Sequence, residues 1–562
     1  MNNAIASTPI PENEPTLSYA PGSEERQTVK TRLQEMRSET VEIPAIIGGE
    51  PVLTDTTSRV APPHDHQHTL GHVHQSGADE VDRAIDAALE AKAEWAAMDF
   101  SDRAAIFLRA ADLLAGPYRD TINAATMLGQ GKSIHQAEID AACELIDFLR
   151  FNVHFAEQIY RRQPNSSEGV WNQLQYRPLE GFVLAVTPFN FTAIQANLPT
   201  APALMGNTVL WKPASRSAYS AYYTYKILEE AGLPPGVINM LPADDGSAVG
   251  TPALQSEHFA GLHFTGSKDT FDHLWSTIGQ NLDRYRTYPT IVGETGGKDF
   301  IVAHPSADVS QLSTAIVRGA YEYQGQKCSA SSRLYIPESL WPDVRDQIGA
   351  QLDEISVGPP EDFTNFVNAV IDERAYEKIV GYIEDARDDD DAEIVYGGEY
   401  DDSTGYFIEP TLIRALDPKQ TTMREEIFGP VTTVYVYPDE EYASTLTLVN
   451  ETSPYGLTGA VFASDRAAIK LASDVLEQAA GNFYVNDKPT GAVVGQQPFG
   501  GARGSGTNDK AGSIYNLQRW VSPRAIKENF NPPSHYGYVW NQHDTVEEPA
   551  VRSEAGDGSM AS

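Results

Sequence analysis

The chain has 562 residues, 41% of them apolar and 21% charged, which indicates a globular protein with more than one hydrophobic core. Its formal net charge of −37 excludes nucleic acid and anionic membrane surfaces as expected partners, because both would repel the protein. No apolar run approaches the roughly 20 residues that cross a bilayer, and the N-terminus lacks the basic and apolar regions of a targeting segment. With only two cysteines, the sequence predicts a cytoplasmic protein.

A polar arm and several helices are predicted before residue 180. Residues 1–40 are rich in proline and glutamate, which predicts a loosely held arm. Apolar residues recur at helical spacing from about Asp79, and Ser101 is predicted to cap a second helix. Five histidines lie within residues 64–74; we interpret this segment as a β-hairpin and expect no metal. The acidic tail, 544–562, is predicted to be disordered.

Short apolar runs alternate with helices from Gly181 onward. Strands are predicted at 181–186, 208–211, 237–241 and 261–264, and helices at 216–232 and 268–279. Continuous apolar strands between amphipathic helices indicate a parallel sheet covered on both faces, whose ligands bind beyond the carboxyl ends of the strands. We therefore predict a cofactor domain from residues 41–165 and 180–300, followed by a second α/β domain at 301–505.

Polar residues follow three of these predicted strands. Asn190 lies where a turn meets a helix, so its amide can donate to a developing oxyanion, although most isolated asparagines there serve as turn or cap residues. Lys212 ends the second strand and could bond ribose hydroxyls, although such lysines are more often solvated strand ends. Gly266 and Ser267 open a helix, where free N–H groups favour a pyrophosphate. The segment lacks the G-x-G-x-x-G pattern, so it is weak evidence by itself.

A cysteine in the segment YEYQGQKCSASSR, residues 321–333, is a candidate nucleophile. Lys327 precedes Cys328, and nearby positive charge lowers a thiol pKa from about 8.5 to about 3.5–7.5. A lone cysteine is more often a small buried hydrophobe, which is what we expect for Cys143. Glu294 precedes two glycines; such a carboxylate could activate water in a dry pocket, although it is more often an exposed turn residue.

Six segments, taken in order, resemble the aldehyde dehydrogenase family. They are TPFNFT, WKPAS, FTGS, ETGGK, QGQKCS and EEIFGP, within residues 180–430. Residues 143–152, 323–333 and 486–512 resemble the branch of that family that oxidises L-glutamate γ-semialdehyde. The resemblance implies an α/β fold with a Rossmann-type cofactor domain, an α/β catalytic domain and a small oligomerisation hairpin.

The resemblance also implies roles in NAD-dependent oxidation of a small-molecule aldehyde, glutamate semialdehyde. Cys328 would attack the aldehyde to give a thiohemiacetal and then a thioester, Asn190 would hold the oxyanion, and Glu294 would activate the hydrolytic water. The implied cofactor contacts are Thr187, Phe189, Lys212, Ser215, Gly266, Ser267, Glu426 and Phe428. The implied substrate contacts are Glu144, Phe191, Lys327, Ser329, Gly491, Ala492 and Phe499.

One position departs from the family pattern, and two other functions stay open. Ser215 stands where NAD-preferring members often carry a glutamate that repels the 2′-phosphate of NADP; NAD is still the cofactor we expect. The first alternative is another semialdehyde dehydrogenase, such as one for succinate semialdehyde. The second is a non-catalytic scaffold of the same fold, which would not need Cys328, Asn190 and Glu294 together.

Two segments resemble the strands through which members of this family assemble. They are residues 166–179 and 515–535. An exposed strand edge invites pairing with another chain. The sequence therefore predicts a homo-oligomer, either a dimer or an assembly built from dimers.

Overall fold

Two seven-stranded sheets form the framework of the protein in a computed structural model, which describes residues 7–541. The described chain separates into two units, one made of residues 7–161 and 176–522 and the other of residues 162–175 and 523–541. The predicted disordered tail, 544–562, lies outside the described residues. The domain boundaries drawn at 165, 300 and 505 stay predictions, because both large sheets belong to the first unit.

Within residues 7–541 the α-helices are α1 Glu24–Ser38, α2 Ala78–Ala97, α3 Phe100–Ala115, α4 Arg119–Gln130, α5 Ile134–Ala137, α6 Leu145–Tyr160, α7 Thr192–Leu204, α8 Ala218–Ala231, α9 Gly246–Gln255, α10 Lys268–Gln280, α11 Val309–Tyr321, α12 Trp341–Glu354, α13 Glu373–Asp388, α14 Thr421–Arg424, α15 Tyr442–Thr452, α16 Arg466–Val475 and α17 Ile514–Gln518. A π-helical stretch, Glu138–Glu144, joins α5 to α6. Short 3₁₀ turns lie at Ser215–Ser217, Glu322–Gly325, Asp439–Glu441 and Val539–Asn541.

In the same residues the strands are β1 Val41–Ile43, β2 Ala45–Ile47, β3 Glu50–Val52, β4 Thr57–Val60, β5 Gly71–His74, β6 Val170–Pro178, β7 Phe182–Val186, β8 Thr208–Lys212, β9 Ile238–Met240, β10 Phe259–Thr265, β11 Thr290–Glu294, β12 Asp299–Ala303, β13 Ser331–Pro337, β14 Ala392–Tyr396, β15 Tyr400–Asp401, β16 Phe407–Ile408, β17 Thr411–Ala415, β18 Val431–Tyr437, β19 Tyr455–Gly456, β20 Thr458–Phe462, β21 Asn482–Val485, β22 Ala502–Arg503 and β23 Val521–Asn529.

The first large sheet has the order β11-β10-β7-β8-β9-β2-β3 and is parallel from β11 to β9. Every residue of β8 and β10 is buried, as continuous apolar runs predict for a sheet covered on both faces. The chain order reverses between β7 and β10, and ligands of such sheets bind at that crevice, beyond the carboxyl ends of the strands. The four predicted strands of this region are confirmed, with small shifts at their ends.

The second large sheet has the order β14-β17-β18-β13-β12-β20-β21. Its neighbours pair in parallel except β14 and β17, which are antiparallel. This confirms a second α/β layer after residue 300. Cys328 precedes β13 in this sheet, so this candidate nucleophile lies at an amino-terminal strand edge, whereas Asn190 follows the carboxyl end of β7.

The second unit contains most of β6 and β23, which pair with each other in a two-stranded sheet. Strand β6 lies within the segment 166–179 that resembles an assembly strand, and its residues are half-buried or exposed. No helix in the described part of the chain combines the length and the apolar character that a membrane span requires.

The prediction of a loosely held arm at residues 1–40 is wrong for much of its length. Helix α1 occupies the second half of the arm, and its Val29, Leu33 and Met36 are buried against a core that includes α4. Their spacing of four and three residues places all three on one helical face. The prediction relied on the polar composition of the whole arm, which gives no indication of three apolar residues on one helical face.

Two local predictions need adjustment. Helix α3 begins at Phe100 with Asp99 at its N-cap position, so Ser101 lies inside the first turn and does not cap the helix. The histidine segment forms part of a hairpin, as predicted: β5 ends it and pairs antiparallel with β4. Among the described residues, no group of three or more histidine, cysteine or acidic side chains is arranged to hold a metal ion.

Candidate active site

A left-handed turn leads into Cys328. Tyr323, Gln324 and Gly325 have φ values of 54°, 54° and 64° in succession, a conformation that non-glycine residues rarely adopt and that is often found at functional sites. A Cβ atom at Gly325 would lie 2.1 Å from the carbonyl oxygen of Gly429, so only glycine fits there. The turn therefore fixes where Cys328 stands before β13 begins.

The Cys328 thiol is buried, and its pKa is raised well above the ordinary value. Burial is the main cause, and nearby carboxylates, of which Glu294 has the largest effect, raise the pKa further. The prediction that Lys327 lowers this pKa is wrong. The Lys327 ammonium pairs with Glu322 at 3.2 Å, so its charge is largely neutralised where it stands.

Two cavities meet at Cys328. The lysine cavity, named for Lys327 and Lys488 in its wall, has a volume of about 390 Å³. The phenylalanine groove, named for Phe189 and Phe428, has a volume of about 490 Å³. Cys328 lines both of them, so the candidate nucleophile lies between two cavities.

All of the sequence-predicted substrate residues line the lysine cavity; they are Glu144, Phe191, Lys327, Ser329, Gly491, Ala492 and Phe499. The Ser329 hydroxyl donates to the Thr490 hydroxyl at 2.8 Å. Sequence reasoning missed Lys488 and Thr490, which also line the cavity. Their position one to three residues before Gly491 was the signal that could have identified them.

Six of the predicted cofactor residues line the phenylalanine groove; they are Thr187, Phe189, Gly266, Ser267, Glu426 and Phe428. The rings of Phe189 and Phe428 meet edge to face with centroids 5.8 Å apart. Lys212 and Ser215 do not line the groove; Ser215 lines a separate cavity of about 80 Å³. Burial lowers the pKa of Lys212.

Asn190 is buried at the end of the phenylalanine groove. Its side-chain nitrogen donates to the backbone oxygen of Gln326, two residues before Cys328, at 3.0 Å. An amide nitrogen carries two hydrogens. One is held by this bond; the second has no acceptor among the residues that the structure describes, so it can donate to a charge that develops near the sulfur.

Glu294 ends β11 but lines neither of the two cavities that contain Cys328. It lines a third cavity of about 40 Å³, whose wall also includes Glu144 and Phe499. Its Oε1 atom is buried without a hydrogen-bond partner among the described residues, and burial raises its pKa to about 8. This carboxyl is therefore a base of near-neutral strength next to the sulfur site.

Two glycines after Glu294 allow the backbone to approach other site residues closely. A Cβ atom on Gly296 would lie 2.1 Å from the Glu426 carboxylate, and one on Gly297 would lie 2.3 Å from the Cys328 carbonyl oxygen. The Gly297 N–H donates to Glu426 Oε1 at 3.0 Å. The segment 294–298 (ETGGK) therefore packs closely against both the Glu426 carboxylate, which lines the phenylalanine groove, and the backbone of Cys328.

A buried ion pair that sequence reasoning missed holds the wall of the lysine cavity. Lys132 pairs with Asp140 at 2.6 Å, and Asp140 accepts the backbone N–H groups of Thr192 and Ala193 at 2.9 and 2.8 Å. The Lys132 ammonium also lies 4.0 Å from the ring centroid of Phe191. The π-helical stretch that carries Asp140 therefore anchors the start of α7 and the ring before it.

Comparison with known proteins gives a consistent result. The model of the aldehyde dehydrogenase family matches residues 53–526. Delta-1-pyrroline-5-carboxylate dehydrogenase from Dictyostelium discoideum is 52% identical over 96% of this chain and 97% of its own length. The Bos taurus protein of that name is 51% identical over 94% of each chain. The crystal structure of the Mycobacterium tuberculosis enzyme bound with NAD superposes with a TM-score of 0.93, at 53% identity, over 96% of this chain and 99% of that one.

The predicted cytoplasmic location is contradicted by these comparisons. The names of the Dictyostelium discoideum and Bos taurus relatives both include the word mitochondrial. The prediction relied on the lack of a targeting pattern in the first residues and on the small number of cysteines. Neither feature distinguishes the cytoplasm from another reducing compartment.

Proposed function

Because the chain belongs to the aldehyde dehydrogenase family, we propose that it oxidises L-glutamate γ-semialdehyde, the open form of 1-pyrroline-5-carboxylate, to L-glutamate with NAD. One observation carries the proposal: the Cys328 thiol lines both the lysine cavity and the phenylalanine groove. A nucleophile between a polar chamber and an apolar-walled groove suits a reaction between a small polar aldehyde and a dinucleotide. The names of close relatives support the same activity.

In the first step the Cys328 sulfur attacks the aldehyde carbon and the carbonyl electrons move onto oxygen, giving a thiohemiacetal. The free N–H of Asn190 and the Cys328 backbone N–H stabilise this oxygen; a single donor of this kind contributes about 10²–10³ in rate. Burial keeps the thiol protonated before attack. Its proton is therefore lost as the carbon–sulfur bond forms, and the former aldehyde oxygen gains a proton to become the hydroxyl of the thiohemiacetal.

In the second half of the reaction Glu294 takes a proton from the water that attacks the thioester, which releases glutamate and restores the thiol. Its raised pKa supports this role, because a general base works best when its pKa lies near the working pH. The unpartnered Oε1 also supports it. That oxygen can turn from its own small cavity towards Cys328 without breaking a hydrogen bond.

The phenylalanine groove fits NAD, which supplies a hydride acceptor when it is bound. Gly266 and Ser267 precede α10, where unpaired N–H groups favour a pyrophosphate. Glu426 keeps one oxygen free to accept from a ribose hydroxyl, since the other accepts from Gly297. Phe428 supplies an apolar wall for a flat ring. A ribose role for Lys212 rests on the resemblance.

The lysine cavity fits an α-amino acid that carries an aldehyde. Phe191 and Phe499 line it and can flank the aliphatic carbons, while Lys327 and Ser329 contribute polar groups. Gly491 and Ala492 belong to a loop, residues 490–496, that we call the anchor loop. We propose that backbone N–H groups of this loop hold the substrate carboxylate, since backbone donors keep their strength in a strongly acidic protein.

A substrate comparison tests the proposed function. We expect kcat/KM for glutamate semialdehyde to exceed that for succinate semialdehyde by about 10²-fold or more, because buried polar groups are left unpaired when the matching substrate group is missing. The measurement is NADH formation with each aldehyde under the same conditions. Equal rates would favour a broader semialdehyde dehydrogenase, and absence of NADH with both would favour a non-catalytic scaffold.

We also propose a homo-oligomer that assembles through β6 and β23. Within residues 7–541 these two strands form a sheet with no third strand, and Trp171 in β6 is 52% exposed, which favours pairing with a second copy. Light scattering should give a multiple of the 61.4 kDa chain mass, and Trp171→Asp should shift it towards one chain. A single-chain mass for the unaltered protein at micromolar concentration would contradict this proposal.

A further inference from the structure

The segment before α1 forms part of the wall of the lysine cavity. Asn13, Glu14 and Thr16 line this cavity together with Cys328. The sequence predicted a loose arm here, but the segment is tied to the cavity wall by hydrogen bonds and ion pairs. It is therefore placed to influence what the cavity binds.

Asn13 joins the anchor loop to helix α6. Its Nδ2 atom donates both to Asp147 Oδ2, on α6, and to the Val494 carbonyl oxygen, in the loop, each at 2.8 Å. Its Oδ1 atom accepts from the Gln496 side chain, also in the loop, at 2.9 Å. A single amide thus makes three hydrogen bonds, two of them to the loop.

The anchor loop has backbone features that make an external support valuable. Gly491 and Gly495 adopt φ values of 96° and 81°, and glycines lose more conformational entropy on ordering than other residues. Backbone N–H groups can hold a carboxylate well only when the loop keeps one geometry. The bonds from Asn13 to residues three and five positions after Gly491 restrict that freedom.

Glu14 secures the segment without placing an unpaired charge in the cavity. Its backbone N–H donates to Asp147 Oδ1 at 2.7 Å. Its carboxylate pairs with Arg119 at 2.6 Å and with Arg150 at 2.7 Å. Arg119 also pairs with Glu138 and Arg150 with Asp112, so Glu14 belongs to a network of ion pairs and is not an unpaired carboxylate where an anionic substrate has to enter.

The same segment is also bound to the π-helical stretch. Glu138 accepts from the Leu17 N–H at 2.8 Å and from the Tyr19 hydroxyl at 2.9 Å. Glu138 begins this stretch, and Glu144, which ends it, lines the lysine cavity. Such stretches are rare and frequently occur at functional sites. The arm and the cavity wall therefore share one structural element.

We infer that residues 13–16 are a substrate-specificity element and that Asn13 is a positioning residue, which holds the anchor loop in the geometry that binds the amino-acid end of the substrate. The inference rests on the proposed function for the identity of that substrate. It assigns no chemistry to Asn13. Its effect should appear in substrate binding and should depend on whether the substrate has an amino-acid end.

The test compares two aldehydes in the full-length Asn13→Ala variant. We expect the KM for glutamate semialdehyde to rise about tenfold, because both hydrogen bonds from Asn13 to the anchor loop are lost and the loop holds its geometry less well, while kcat changes little. Propanal keeps the carbon chain and lacks the amino-acid end, so its kcat/KM should stay within about twofold of wild type. A general structural loss would lower the rates for both aldehydes.

Two further variants keep the test decisive if Asn13→Ala folds poorly. Gln496→Ala removes the bond from the loop side at an exposed residue, and should raise KM about threefold with the same selectivity. Glu12→Ala is the matched control, because Glu12 is exposed on the same segment and does not line the cavity; it should behave as wild type.

Two results would overturn the inference: equal losses with both aldehydes, or an unchanged KM for glutamate semialdehyde in both Asn13→Ala and Gln496→Ala. The wild-type protein tests the proposed function separately. If wild type does not prefer glutamate semialdehyde to propanal, the proposed substrate is wrong. The ratio of KM in each variant to KM in wild type bears only on the role of Asn13.

Discussion

Cys328→Ala should abolish aldehyde oxidation, with kcat lower by on the order of 10⁶-fold, because no other group can form the covalent intermediate. The thiol lies at the junction of the lysine cavity and the phenylalanine groove, so alanine removes the sulfur and leaves the groove intact. NAD binding, followed by quenching of protein fluorescence, should therefore keep its Kd within about twofold.

The matched control is Cys143→Ala, since Cys143 is the other cysteine of the chain. Cys143 lines the lysine cavity but, unlike Cys328, does not line the phenylalanine groove, so an aldehyde bound to its sulfur would not adjoin the proposed cofactor site. This variant should keep kcat within about tenfold of wild type. Appreciable turnover by Cys328→Ala, or loss of turnover in the Cys143 variant alone, would refute the assignment of the nucleophile.

Glu294→Gln should slow thioester hydrolysis by about 10²–10⁴-fold, because the amide cannot accept a proton from water. The steps before hydrolysis do not need this carboxylate. The variant should therefore release a burst of NADH equal to the enzyme concentration and then stall. Rapid-mixing absorbance at the NADH band measures both phases.

The same residue predicts a pH dependence. Burial raises the pKa of Glu294 to about 8, so the fraction in the base form, and with it kcat, should rise as pH increases through about 8. Glu144→Gln is the matched control. Burial raises the pKa of Glu144 well above its ordinary value; glutamine keeps the size of this side chain and removes its titration, so the rise of kcat with pH should persist if it belongs to Glu294. If kcat of Glu294→Gln still rises as pH increases through about 8, Glu294 is not the group responsible.

Local patterns were sufficient to predict most of the strands and helices and to choose the candidate site residues. The apolar run at Phe182–Val186 and its neighbours had to be buried strands, since their continuous hydrophobicity suits only a sheet covered on both faces. Asn190 and Cys328 could be chosen because each lies in a motif that a family shares. The predictions failed where a pattern was weak, as in the arm, where one apolar stripe is surrounded by polar residues.

Other properties depend on which distant residues meet. Lys327 is next to Cys328 in the chain, yet it pairs with Glu322, and the thiol pKa is set mainly by burial. Asn13 meets Val494 across 481 positions of the chain, and a composition rich in proline and glutamate gives no indication of that contact.

The motifs, the strands and the reaction class can be read along the chain because they depend on residue type and on short-range spacing. Three other properties cannot be read along the chain: the protonation state of the Cys328 thiol, the separate cavity of Glu294, and the support that the Asn13 amide gives to the anchor loop. Each depends on solvent exclusion and on hydrogen bonds between segments remote in sequence, and these exist only once the chain has packed.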